Sequence, residues 1–106
     1  MSEEILDLSE GVDIFDVLNI RNQALVRVTV NSLRALFSGK SLPGYKIKGT
    51  RGQVNSFLDT LVKEKKYMAS VIENGLENPN TYRQKAYLDI ATKNFKRQTG
   101  MDWPVG

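Results

Sequence analysis

Cysteine and histidine are both absent from the chain. Without cysteine there is no disulfide, no thiolate nucleophile and no iron–sulfur ligation. Without histidine the commonest metal ligand and general base is gone. A tightly held zinc would then need carboxylates alone, a poor donor set for that ion. Aspartate, glutamate, lysine and tyrosine remain as chemical groups, yet no pocket-building motif gathers them. The sequence is therefore read as that of a non-enzymatic protein, with no cofactor and no metal site. Long apolar runs are also missing: none approaches the ~18 residues of a membrane span. The first residues, Met1-Ser2-Glu3-Glu4, are acidic where a secretory leader would be basic. No membrane partner and a cytoplasmic location are the expectations that follow.

What is present is ordinary in amount and uneven in placement. The 106 residues are 41% hydrophobic and 25% charged, which fits one folded domain. Residues 1–20 carry six acids (Glu3, Glu4, Asp7, Glu10, Asp13, Asp16) and no base, a charge of −6. Residues 21–106 carry all 15 bases and the other six acids, a charge of +9, and the two sum to the net +3. An acidic head thus precedes a basic body. Residues 1–11, ending at Gly11, read as a flexible head, and 12–106 as a single α+β domain.

The expected fold class is α+β: two or three short antiparallel strands packed with two main C-terminal helices, about 52–74 and 79–99. Residues 12–18 alternate imperfectly as a first strand. Residues 25–30 form a better one, with Val26, Val28 and Val30 on one face. Together they would make a hairpin. A helix over 23–37 competes, because Val26, Val30, Leu33 and Phe37 also recur at helical spacing. On the strand reading, Asn31 or Ser32 caps a short helix that stops near Gly39. Leu42-Pro43-Gly44-Tyr45 reads as a turn, and 45–48 as a third strand.

Thr50-Arg51-Gly52-Gln53 is a capping box. It opens a helix whose apolar stripe is Val54, Phe57, Leu58, Leu61, Val62, Met68 and Ile72, and Gly75 ends it. Asn78-Pro79 starts the last helix, and Gly100 stops it. Tyr82, Ala86, Tyr87, Leu88, Ile90, Ala91 and Phe95 cover so much of that helix that contact from more than one side is expected. Met101 and Trp103 would fold back to supply part of it. Trp103 reads as a core plug rather than an interface anchor. In Lys63-Glu64-Lys65-Lys66, Lys65 falls inside the apolar stripe, its ammonium reaching water along the core edge.

One loop stands out as a candidate site. Residues 40–52 combine four cations, three glycines and a hydroxyl at a helix entrance. Open backbone amides and the helix dipole attract anions there, and glycine permits close approach. Lys40, Lys46, Lys48 and Arg51 would supply charge. Thr50 and Gly52 would supply hydroxyl and backbone, and Tyr45 a stacking face. The spacing is neither a Walker loop nor a dinucleotide fingerprint. A plain basic turn with a well-made cap explains the same residues. Arg83, Lys93, Lys96 and Arg97 on the last helix form a second basic patch, alongside Tyr82 and Tyr87. Cations that merely complement the helix dipole are the competing explanation.

Two stretches, Leu42-Pro43-Gly44-Tyr45-Lys46-Ile47-Lys48-Gly49-Thr50 and Asn94-Phe95 through Thr99-Gly100 to Trp103-Pro104, resemble small uncharacterised proteins of large contractile-tailed bacteriophages. The resemblance spans roughly residues 42–104 and leaves the acidic head outside. It implies a viral protein in the host cytoplasm that binds host or phage macromolecules, and it carries over no functional residue. The leading expectation is nucleic-acid binding through phosphates at the 40–52 loop. The alternative is a protein-binding module, a modulator of a host protein or a virion component, using the acidic head or an apolar surface. A third is a small anion held at the Thr50 helix start. Oligomeric state is not readable from the sequence.

Overall fold

The computed structural model of the chain describes residues 5–9, 20–40 and 45–105. Their order is β1 (Ile5–Asp7), α1 (Ile20–Phe37), β2 (Lys46–Lys48), α2 (Arg51–Asn74) and α3 (Pro79–Thr99). The protein is mostly helical: the helices hold 18, 24 and 21 residues and the strands three each. The two strands pair in parallel, with Leu6 opposite Ile47. This corrects the expected α+β fold with antiparallel strands. Parallel neighbours cannot be joined by a tight turn, and here a helical crossover, α1, lies between them.

Residues 25–30, read as a strand, lie inside α1. Ala24, Leu25, Val28, Thr29, Ser32 and Leu33 are buried, whereas Val26 is 44% exposed. That is the 3.6-residue period, and it overrides the β-branched composition, whose intrinsic preference is weak. The helical alternative named the element correctly but not its face, since Val26 and Phe37 point outward. Ser32 is mid-helix and buried, and Asn31 donates from Nδ2 to the Tyr45 hydroxyl at 2.8 Å, so neither caps. α1 does stop where expected, with Gly39 at φ +69°. The first expected strand, 12–18, and the turn residues 42–44 lie outside the described residues.

Residues 5–8 fall within the expected flexible head, yet two of them, Leu6 and Leu8, belong to the core while Ile5 is exposed. Leu6 and Leu8 are fully buried with Leu25, Val28, Phe57, Leu61 and Phe95. The Leu8 amide donates to the Lys48 carbonyl at 2.8 Å, extending the strand pairing. Hydrophobic burial fixes this stretch despite its acidic neighbours.

The last two helices match their expected bounds within a residue. At the start of α2, the Gln53 amide donates to Thr50 Oγ1 and the Thr50 amide donates to Gln53 Oε1, completing the capping box. Gly75 follows the helix at φ +82°, a value that strains any residue with a Cβ. Asn78 then caps α3, accepting from the Asn80 amide at 2.9 Å, with Pro79 in the first turn.

The α2 stripe is narrower than the sequence implies. Phe57 and Leu61 are buried, but Leu58, Val62 and Ile72 are exposed. Small polar side chains complete the contact with α3. Thr60 Oγ1 lies 2.6 Å from the Ser56 carbonyl and 3.3 Å from the Ala91 carbonyl, and the Ser70 and Thr81 hydroxyls meet at 2.8 Å. Gly100, left-handed at φ +74°, turns the chain so that Met101 and Trp103 return to the core. Trp103 sits 5.3 Å from Phe95 edge-on and 5.9 Å from Phe57, the core plug expected of it. The expected two-sided cover of α3 is not seen among the described residues. Leu88, Ala91 and Phe95 are buried on one side, while Tyr82, Tyr87 and Ile90 stay exposed on the other.

Candidate functional site

The 40–52 loop owes its unusual composition largely to the fold. The Thr50 hydroxyl is engaged by the Gln53 amide. A Cβ on Gly52 would come within 2.9 Å of Gln98 Oε1, so glycine here admits the end of α3. Gly49 is similar: a Cβ would lie 2.9 Å from Gln53 Oε1 and 3.3 Å from the Leu8 side chain. Gln53 Nε2 donates to the Gln98 carbonyl at 3.0 Å and ties the two helix ends together. The Gln98 side chain thus lies beside Gly52. Tyr45 is half-buried against the core with its hydroxyl held by Asn31, so it is not an open stacking face.

The cations of that loop fare differently. Lys46 and Lys48 alternate with Ile47 on β2 and are exposed, while Ile47 packs on the core. Arg51 is exposed in the first turn of α2, and Lys40 is exposed just past α1. None of these four forms an ion pair among the described residues. Across the strand pair, Asp7 stands opposite Lys48, one acid on the same sheet face.

The end of α3 meets the start of α2 through Gln98 and Gln53, so the helix ends that carry Arg97 and Arg51 are neighbours, although 46 positions separate the two arginines in sequence. Arg83, Lys93 and Arg97 are exposed along α3 with Tyr82 and Ile90. Their spacing of ten and four residues keeps them within one third of the helix circumference. Lys96 departs from this group. Its ammonium pairs with Asp102 at 2.8 Å and turns toward a cleft.

That cleft is the feature sequence reasoning missed. It measures about 310 Å³ and lies between α2, α3 and the C-terminal segment. Glu64 forms its base, 2% exposed, accepting at Oε1 from Trp103 Nε1 at 3.1 Å. Burial pushes its carboxyl above the ordinary carboxylate range, and the indole hydrogen bond and the Lys85 charge only partly offset that. Lys85 lies 5.4 Å above the Tyr67 ring and pairs with Asp89 at 3.3 Å. In the sequence Glu64 looks like part of a solvated charge run. The available signal was its register: Phe57, Leu61 and Glu64 follow one another at spacings of four and three, on a single helix face. Lys65, expected in the stripe, is half-buried.

Among the described residues, no cluster of three or more acids is placed to hold a metal ion, and no helix is long and apolar enough to cross a membrane. Comparison with protein-family models, with curated proteins and with solved structures found no match.

Proposed function

We propose that this is a non-enzymatic nucleic-acid-binding protein whose contact surface runs from β2 across the start of α2 onto the outer face of α3. The observation that supports the reading is the junction at Gln53 and Gln98, which brings the start of α2, with Arg51, against the end of α3, with Arg97. Lys46, Lys48, Arg51, Arg83, Lys93 and Arg97 are exposed there without an ion-pair partner among the described residues. Tyr82, 61% exposed, offers a face on which an unpaired base can stack. Each phosphate neutralised releases condensed counterions, so binding should weaken steeply with salt.

Fluorescence anisotropy with single-stranded and duplex oligonucleotides at several salt concentrations tests this. Replacing Arg51 or Arg97 by alanine should lower the slope of log affinity against log salt by roughly one each. Tyr82→Ala should weaken single-strand binding and spare the duplex. Affinity that is flat with salt would overturn the reading.

A second reading, a protein-binding module, has its own observation. Phe37, Met68, Ile72 and Leu76 line an apolar groove between α1 and α2, with Ile72 and Leu76 76% and 63% exposed. Apolar side chains grouped in this way are a common mark of protein contact surfaces. An I72E variant that leaves oligonucleotide affinity intact but abolishes co-purification of a protein partner would favour it.

A further inference from the structure

We propose that the cleft above Glu64 is a binding site for a guanine nucleotide, with the Glu64 carboxylate taking the paired N–H edge of the base and the lysines of α3 taking the phosphate. This goes beyond the nucleic-acid surface and shares only Lys93 with it.

The argument begins with the carboxylate. Glu64 is buried and receives one donor, Trp103 Nε1, on Oε1. Its Oε2 receives none among the described residues. An ionised carboxylate is an acceptor only, with about four lone-pair sites, and one of them, on Oε1, is taken among the described residues. The natural complement is two parallel N–H donors held in a plane. A guanidinium has that geometry but would add a cation beside Lys85, whose charge already reaches Glu64, and beside Lys93, unpaired among the described residues; Asp89 and Asp102 balance only Lys85 and Lys96. A neutral donor pair avoids that repulsion.

Among the common bases only guanine presents one. Its N1–H and N2–H2 lie side by side. Adenine sets N1, an acceptor, beside its amino group, and cytosine does the same with N3. Uracil has a single N–H between two carbonyls. Each of these would push a lone pair against the carboxylate.

The walls and rim fit the rest of such a ligand. Trp103, Tyr67 and Leu88 give flat and apolar surfaces for a ring. A volume of about 310 Å³ is at the small end for ligand pockets, enough for a base and sugar with the phosphate at the rim. Lys93 has no ion-pair partner among the described residues. Lys85 and Lys96 are paired with Asp89 and Asp102, but these pairs are solvent-exposed and weakly held, so both ammonium groups can turn to a doubly charged phosphate. Donor hydrogen bonds favour the ionised carboxylate, whereas burial disfavours it in the free protein. Lowering the pH should therefore weaken binding, as Glu64 takes up a proton.

Isothermal titration of the full chain with GMP, IMP and AMP tests the site, with the emission of Trp103, the one tryptophan, as a second readout. GMP should bind about tenfold or more tightly than IMP, which lacks the 2-amino group, and AMP should be weaker still. Glu64→Gln keeps an acceptor for Trp103 and replaces the other by a donor, so it should abolish the preference for GMP over AMP. Lys93→Ala should weaken GMP several-fold and leave guanosine unchanged. Equal affinity for GMP and AMP, no binding at millimolar GMP, or an E64Q chain that still prefers GMP would overturn the proposal. The nucleotide ranking needs only the unmodified protein, so it decides even if a variant fails to fold. Oligonucleotide affinity of E64Q, measured alongside, should equal that of the parent, which separates failure here from failure of the nucleic-acid reading.

Discussion

Between α2 and α3 the helices meet through small polar side chains: Ser56, Thr60, Ser70 and Thr81 exchange hydrogen bonds with each other and with backbone carbonyls. Between α1 and the sheet the contact is made by Leu6, Leu8, Leu25 and Val28, with few polar anchors. Thr29, buried in α1, has a hydroxyl with no hydrogen-bond partner among the described residues. The α2–α3 pair is thus specified by short-range signals and satisfied hydrogen bonds, while the β1–α1–β2 unit depends on apolar burial between segments distant in sequence. Phe57 joins the two, since it belongs to α2, packs with Phe95 and Trp103, and shares one core cluster with Leu6 and Leu8.

Three substitutions can break or sharpen this contrast. The largest effect is expected from Phe57→Ala, because it empties the shared position. A loss of roughly 4 kcal/mol in chemical denaturation should result, with both regions unfolding in one transition. Two separate transitions would mean that the regions are stable independently. Leu6→Ala removes a contact of the β1 side only. It should cost about 3 kcal/mol, and amide hydrogen exchange should speed up in α1 more than in α3. Uniform acceleration would contradict the division. Thr29→Val is the smallest change and has the opposite sign. It keeps the shape and removes the unsatisfied hydroxyl, so the thermal midpoint should rise, corresponding to about 1 kcal/mol of added stability.

The same contrast explains how far the sequence could be read. The caps at Thr50 and Asn78, the stops at Gly75 and Gly100 and the bounds of α2 and α3 rest on residues within four positions of each other, and all were legible. The strand assigned to 25–30 failed because valine and threonine favour strands only weakly, and the deciding contacts come from Leu6, Leu8 and Phe57, far along the chain. The acidic residues at 1–10 concealed two leucines that the core requires. Within the candidate surface, the cations were legible as charge and their exposure was expected. What could not be read was that Gly49 and Gly52 stand against the side chains of Gln53 and Gln98. Glu64 was hidden for a related reason: burial of a glutamate depends on Trp103, 39 residues later, folding back over it.

The four residues linking α2 to α3 bear on the order in which the chain assembles. Bringing β1 beside β2 closes a loop about ten times longer than that connection, which by loop-closure entropy costs roughly 2 kcal/mol more. The helical hairpin is thus the natural early structure, and the parallel strands join late, once α2 and α3 already present an apolar surface for Leu6 and Leu8 to meet.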